Sequence, residues 1–285
     1  MNAPIDGFDA LARVVDQLRD VAVAVSGGVD SLTLASIVHR RIPARAAMFH
    51  AVSPAVPEEA TRRVQALAQQ QGWVLKLIDA GEFSDAQYRA NPVNRCFYCK
   101  TSLYGAIAPH TRAQIVSGTN LDDLGEYRPG LEAAKKYAVR HPFVEAGVDK
   151  AAVRSLARRL GLGEISELPA APCLSSRIET GIAIDPDMLK LVHETEKLVA
   201  DALRPDTVRC RVRASGVVVE LDDAALAAAS QVQRNDLSAR ITELFGKGGF
   251  DYAVMFAPYR VGSAFVHPIR IAPQNDTAHN NPVLK

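Results

Sequence analysis

The chain has no surplus of either charge. Its 33 lysines and arginines stand against 32 aspartates and glutamates, for a formal net charge of +1. A protein that grips a nucleic-acid backbone gains affinity by releasing counterions from each phosphate it neutralises, and so carries a basic excess. That class is disfavoured, and a small-molecule substrate is expected instead. Long apolar runs are also missing: none reaches the roughly 18 residues of a membrane-crossing helix. The opening stretch MNAPIDGFDALARVVDQLRD has acids spread through it and no apolar core segment, so it does not read as a signal peptide and a cytoplasmic protein is expected. Cysteine is scarce, at four in 285 residues, which argues against a disulfide framework and for reduced thiols free to bind a ligand. No internal repeat or low-complexity segment occurs.

What is there is globular: 48% apolar and 23% charged residues suit a soluble fold with a real core. The first half alternates strand and helix signals. Val21 to Val25, Arg45 to Val52, Trp73 to Ile78 and Gln114 to Ser117 read as strands. Helical spacing follows SGGVDS, runs from Pro57 to Gln71 before Gly72, and recurs from Lys100 to Ala108. This alternation predicts an α/β fold: a Rossmann-like parallel sheet covered by helices on both faces. The grammar then changes. A helix from Asp185 to Leu203, a hairpin over Thr207 to Leu221 turning at Ser215-Gly216, helical segments over Asp222 to Phe245 and a strand at Tyr252 to Phe256 predict a smaller α+β domain. The expected division is 1–180, 181–272, and a polar, Asn-rich tail over 273–285 expected to be disordered.

Ser26-Gly27-Gly28-Val29-Asp30-Ser31 lies between a strand and a helix. Two glycines let the backbone turn tightly and bring its N–H groups close to an anion. The helix start adds unpaired donors and a favourable dipole, and Ser26 and Ser31 add hydroxyls. No Gly-Lys-Ser/Thr follows, so this is not a Walker A loop, and it is not a G-x-G-x-x-G turn. A plain tight turn with Asp30-Ser31 capping a helix is the bland alternative. The ends of the parallel strands, Met48 to His50 and Gly118-Thr119-Asn120, are where an adenine ring would sit in an open α/β sheet.

Asn94-Arg95-Cys96-Phe97-Tyr98-Cys99-Lys100 contains a CxxC, and Cys173 lies in Pro172-Cys173-Leu174-Ser175-Ser176-Arg177. Structural zinc needs four protein ligands, which would require one of the seven histidines, such as His50 or His110, as the fourth. Three thiolates on a cubane iron–sulfur cluster would instead leave one iron open to exogenous sulfide. Strand alternation puts Val208, Cys210 and Val212 on one face, with Arg209, Arg211 and Arg213 on the other. Cys210 reads as a small buried apolar residue. The arginines could be an anion site, their forks suiting phosphate or carboxylate, or a solvated strand face. Glu126, Glu196 and Glu220 are acids that spacing alone does not place, and Trp73 and Phe97 read as packing residues.

SGGVDS after an apolar strand resembles the pyrophosphate loop of the ATP pyrophosphatase superfamily, whose members cleave ATP to AMP and pyrophosphate to adenylate a substrate. Together with NRCFYCK, Gly118-Thr119-Asn120-Leu121-Asp122-Asp123, Tyr127-Arg128-Pro129-Gly130 and PCLSSR, it resembles the LarE family over about Val21 to Ala272. Those are ATP-dependent sulfur transferases of nickel-pincer cofactor synthesis. The resemblance implies a pyridinium dicarboxylate mononucleotide as substrate, ATP and Mg2+ held near Asp30, and assembly as a homo-oligomer. It also implies one of two sulfur sources: Cys173 itself, given up once, or sulfide on a 4Fe-4S cluster held by Cys96, Cys99 and Cys173. The presence of all three thiols matches the second pattern. Arg209 and Arg211 resemble the family's phosphate-binding pair. Arg177 and Arg128 are candidates for the substrate carboxylates or ATP phosphates, with a salt bridge at the surface or between domains as their alternative role.

Three rivals make different demands. A tRNA thiolase predicts an RNA-binding extension, zinc-ribbon cysteines or a basic excess. A catalytically silent nucleotide-binding regulator predicts damage to SGGVDS or to the cysteines, and both are intact. An amidotransferase-type synthetase would need a glutaminase and leaves the cysteines unexplained.

Overall fold

The computed structural model describes residues 7–125, 128–170 and 172–265. The expected tail, the last residues of the expected second domain, Glu126 and Tyr127 lie outside them.

The first half runs α1 (Gly7–Asp16), β1 (Val21–Ala24), α2 (Val29–Arg41), β2 (Ala46–Ala51), α3 (Glu58–Gln71), β3 (Leu75–Ile78), α4 (Ala86–Arg89), α5 (Arg95–Ile107), β4 (Gln114–Ser117), α6 (Gly130–Lys136), α7 (Pro142–Glu145) and α8 (Lys150–Arg159). The four strands form one all-parallel sheet in the order β3-β2-β1-β4. Period-two alternation sorts its side chains. Val21, Val23, Met48 and Val116 enter a core shared with α1, α2, α3 and α8, while Ala22, Ala24, Phe49 and Ile115 pack against α5 and α6. Helices therefore cover both faces, as expected of a Rossmann-like α/β fold.

Local signals set the ends of these helices. Gly72 stops α3 in the left-handed conformation at φ +71°, with its N–H bonded to the Ala68 carbonyl. α5 begins at Arg95, not at Lys100 as the spacing suggested. The CxxC therefore lies within the helix, Cys96 in its first turn and Cys99 at the start of its second.

Beyond residue 180 come α9 (Pro186–Leu203), β5 (Val208–Arg213), β6 (Gly216–Leu221), α10 (Asp223–Ala228), α11 (Gln231–Lys247) and β7 (Val254–Pro258). Asp185 caps α9 by accepting from the Asp187 and Met188 N–H groups, and Ser230 with Gln233 forms a capping box on α11. β5 and β6 form the expected hairpin, and β7 adds parallel to β6. Gly216 is required in that hairpin: φ is +122°, and a Cβ would lie 2.5 Å from the Ala253 carbonyl oxygen. Cys210, Val212, Val217 and Val219 meet Leu189, Val192, Ile241 and Phe245 in a second core. That core also takes in Ala55, Tyr88, Leu174 and Ile178 from earlier in the chain. Among the described residues no helix is long and apolar enough to cross a membrane.

Candidate active site

In the sheet, β2 and β3 extend from one side of β1 and β4 from the other, so strand order reverses between β1 and β4. Ligands in open α/β sheets bind in the crevice beyond the strand ends at such a switch point. The loop after β1 is Val25 to Gly28, and the loop after β4 begins at Gly118. They touch: a Cβ on Gly118 would lie 2.8 Å from the Ser31 nitrogen. Gly27 is in the left-handed region at φ +86°, and a Cβ there would meet the Ala60 carbonyl oxygen at 2.8 Å. Both glycines thus permit backbone contacts that any side chain would break.

Within the loop, the Ser31 hydroxyl sits 3.1 Å from the Ser26 nitrogen and 3.1 Å from the Ser26 hydroxyl, and donates to the Gly28 carbonyl at 3.0 Å. Asp30, in the first turn of α2, accepts from the Asn120 amide at 3.1 Å and is ion-paired with Lys150. Buried Asn120 in turn receives the Asp122 N–H on its side-chain oxygen, and its own N–H bonds to Asp123. Arg128 pairs with Asp123 at 2.9 Å. Thr119 is tied to Ser117, whose hydroxyl also meets His141. Ser26, Gly27, Gly28, Asp30, Ser31, Gly118, Thr119 and Asn120 therefore gather in one crevice, with Arg128 at its rim. Met48 does not join them, because its side chain is fully enclosed in the core in the middle of β2.

Lys150 was not legible as a site residue, although one signal existed. It is the first residue of α8, where the helix dipole disfavours a cation. A lysine there needs an anion close by, and Asp30 supplies it.

The second cluster lies around the cysteines. Gly130, at the start of α6, packs on α5: a Cβ there would sit 3.1 Å from Lys100 Cγ and 3.6 Å from the Cys96 carbonyl oxygen. The Cys173 segment is brought to the same place by long-range bonds. Tyr88 and Ser175 share a hydroxyl contact at 2.7 Å, Arg95 donates to the Ser175 carbonyl at 3.0 Å, and the Leu174 N–H bonds to Ala55. All four cysteines are free; Cys210 is buried within the second core, against which Cys99 and Cys173 also pack. Burial and neighbouring Cys173 push the Cys96 thiol up, while Arg95 and Lys100 pull it back. Cys99 is pushed up to about 12 by burial first and then by Cys173. Burial lowers the Lys100 ammonium, but Tyr104 and the three cysteines outweigh it and raise it overall.

Among the described residues, no three His, Cys, Asp or Glu side chains converge closely enough to hold a metal ion. Neither histidine considered as a fourth zinc ligand joins the cysteines. His50 is buried, donating from Nδ1 to the Val25 carbonyl at 2.8 Å and meeting the Thr61 hydroxyl through Nε2 at 2.9 Å. His110 lies against Phe49. A mononuclear zinc site therefore does not fit. The donor chemistry fits a larger sulfur-bridged unit better: the three thiols act on one another, Arg95 and Lys100 stand beside them, and buried Glu82 is the one carboxylate acting on Cys99.

Three arginines surround the Cys173 segment from the other side. Arg177 is 4% exposed, forms a two-pronged pair with Glu196 at 2.9 and 3.0 Å, and donates to the Pro172 and Cys173 carbonyls. Arg211 is buried against Glu220 at 3.1 Å and donates to the Ser176 carbonyl; Arg213 reaches the same carboxylate. Arg211 therefore does not lie on an open strand face, and Glu196 and Glu220 are its neighbourhood's counter-ions. Arg209 differs. It binds the Val208 and Ala170 carbonyls and lies over Tyr259, with no carboxylate partner among the described residues. Burial and the adjacent Arg177 lower its pKa, against the pull of Glu196 and Tyr259.

The fold is that of an α/β protein with a glycine-bearing loop at the switch point of its sheet and three free cysteines carried by α5 and the Cys173 segment. No protein-family model matches the chain. It is 33% identical over 255 residues to the uncharacterised protein slr1717 of Synechocystis, covering 87% of this chain and 92% of that one. The chain belongs to the family of that protein. It is also similar to the pyridinium-3,5-bisthiocarboxylic acid mononucleotide synthase of Lactiplantibacillus plantarum, at 29% identity over 221 residues, 75% of this chain and 79% of the relative. The uncharacterised protein MJ0830 of Methanocaldococcus jannaschii is 27% identical over 209 residues, 72% and 79% of the two chains.

Proposed function

We propose that the protein is an ATP-dependent sulfur transferase of the LarE kind, which adenylates a pyridinium dicarboxylate mononucleotide and converts its carboxylates to thiocarboxylates. The observation that carries this reading is a pair of close contacts made by two glycines twelve positions apart, Gly118 and Gly130. Gly118 packs against the Ser26–Ser31 loop, and Gly130 packs against Cys96 and Lys100. On this reading an acid activated at the loop is presented to sulfur at the thiols. The synthase relative supports the same assignment by its name.

A carboxylate resists nucleophiles because oxide is a poor leaving group. In the first step a substrate carboxylate oxygen attacks the α-phosphorus of ATP and pyrophosphate departs into the loop. The backbone N–H groups at the start of α2, with Ser26 and Ser31, receive it. Lys150 stands ready to offset its charge, and Asp30 with Asn120 is the carboxylate–amide pair suited to the Mg2+ that accompanies ATP. In the second step a sulfur nucleophile held at Cys96, Cys99 and Cys173 adds to the acyl carbon and AMP leaves. A 4Fe-4S cluster on the three thiolates would supply an open iron position that carries sulfide. Arg209, which has no ion-paired carboxylate among the described residues, is the candidate for the mononucleotide phosphate, and Arg177 and Arg211 hold the Cys173 segment in place.

The test is anaerobic incubation with ATP, Mg2+ and the dicarboxylate mononucleotide, followed by mass analysis of product and protein. Thiolated product with unchanged protein mass is expected. Loss of one sulfur from Cys173 would move the source to the cysteine itself, and no pyrophosphate release would overturn the adenylation.

A further inference from the structure

Arg95 is an uncommon residue to find where it is. It opens α5, is 3% exposed, and has no carboxylate partner among the described residues. Its neighbours are neutral: the Asn91 side-chain oxygen, the Ser175 carbonyl at 3.0 Å, and the Phe265 ring at 5.7 Å. Burying a guanidinium without a counter-ion is costly, and a site that gains an anion offsets that cost. Arg177 and Arg211, buried to the same degree nearby, each have their glutamate. Arg95 has instead the adjacent Cys96.

The contacts of Arg95 also span the two cysteine-bearing segments. Asn91 lies in the left-handed region at φ 52°, and its amide donates to the carbonyls of Ile178, Glu179 and Ile182 just after PCLSSR. Arg95 locks onto that asparagine and onto Ser175, while its own backbone starts the helix that carries Cys96 and Cys99. One side chain thus fixes the spacing between the CxxC and Cys173.

We infer that Arg95 is the positioning residue of the sulfur site: it holds the Cys173 segment against the CxxC turn and supplies the countercharge for the anionic sulfur centre assembled between them. This rests on the proposed function above. It predicts that the site loosens, without harm to the ATP loop, when the guanidinium is removed.

The experiment is anaerobic reconstitution with ferrous iron and sulfide of the full chain, wild type, Arg95→Lys and Arg95→Gln. Iron affinity and the visible sulfur-to-iron charge-transfer spectrum are read in parallel with pyrophosphate release. Loss of a residue that supports metal ligands typically weakens binding about ten- to a hundred-fold. Arg95→Gln is expected in that range, Arg95→Lys between it and wild type, and pyrophosphate release unchanged in both. An Arg95→Gln protein that loads iron like wild type overturns the inference. Should that variant fail to fold, Arg95→Lys decides: its ammonium keeps the charge but not the fork, and wild-type loading by it overturns the inference equally. Wild-type protein that binds no iron would instead sink the cluster reading, a result distinct from either.

Discussion

The crevice at Ser26–Ser31 and the pocket around Cys173 are both held firmly, but by opposite means. The loop is built from backbone: Gly27 and the neighbouring Gly118, neither with room for a Cβ, a helix start, and hydrogen bonds between residues close in sequence. The cysteine pocket is built from buried charge. Arg95, Arg177 and Arg211 reach across 80, 19 and 35 residues respectively to Ser175, Glu196 and Ser176. A backbone cradle recognises an anion that comes and goes, since N–H donors carry no net charge to be left stranded when the ligand departs. A pocket of buried guanidiniums suits a centre that stays, because its charges need partners at all times.

That contrast can be broken at several points. The largest effect is expected for Glu196→Ala, which strands Arg177 and removes the acceptor of the Cys210 N–H. Breaking such a buried pair costs about 3–5 kcal/mol, and urea unfolding should show it. A loss under about 1 kcal/mol would mean the pair is far better solvated than its burial implies. Next comes Gly118→Ala. Its new methyl displaces the Ser31 backbone, and misplacement on the ångström scale costs about a hundred-fold in rate. Pyrophosphate release should fall accordingly while iron loading stays intact; loss of both together would show that the two regions are not separable. Asp185→Ala, removing the side-chain cap of α9, should cost about 1 kcal/mol with both chemistries unaltered.

The smallest effect is on pH. Burial lowers the His50 pKa, so the folded protein keeps this imidazole neutral. Above the unfolded value of about 6.5 it has no effect. As pH falls below that, the unfolded chain takes up a proton that the folded one refuses, and stability declines by at most about 1.4 kcal/mol per pH unit for this group. Urea midpoints for His50→Gln should fall less between pH 7.5 and 5.5 than those of wild type, and an equal fall would remove His50 from the account.

How much of this could be read from the sequence follows the same division. The sheet strands, the loop and Gly118-Thr119-Asn120 were legible because alternation, glycine pairs and strand ends are local signals. Arg209, Arg211 and Arg213 were visible as a strand pattern, but Glu220 opposite them on β6 turned Arg211 inward, which only pairing across the hairpin reveals. Met48 looked like a strand-end residue, yet β2 runs three residues past it. Lys150, Arg95, Tyr88 and Asn91 escaped notice because their roles depend on contacts between segments far apart in the chain.

The central claim is that activation and sulfur delivery occur at neighbouring but separately built places. Replacing Cys173 with serine and following pyrophosphate and thiocarboxylate in the same anaerobic reaction tests it most directly. Continued pyrophosphate release with no thiocarboxylate is the predicted result; thiocarboxylate formed at the wild-type level would contradict it.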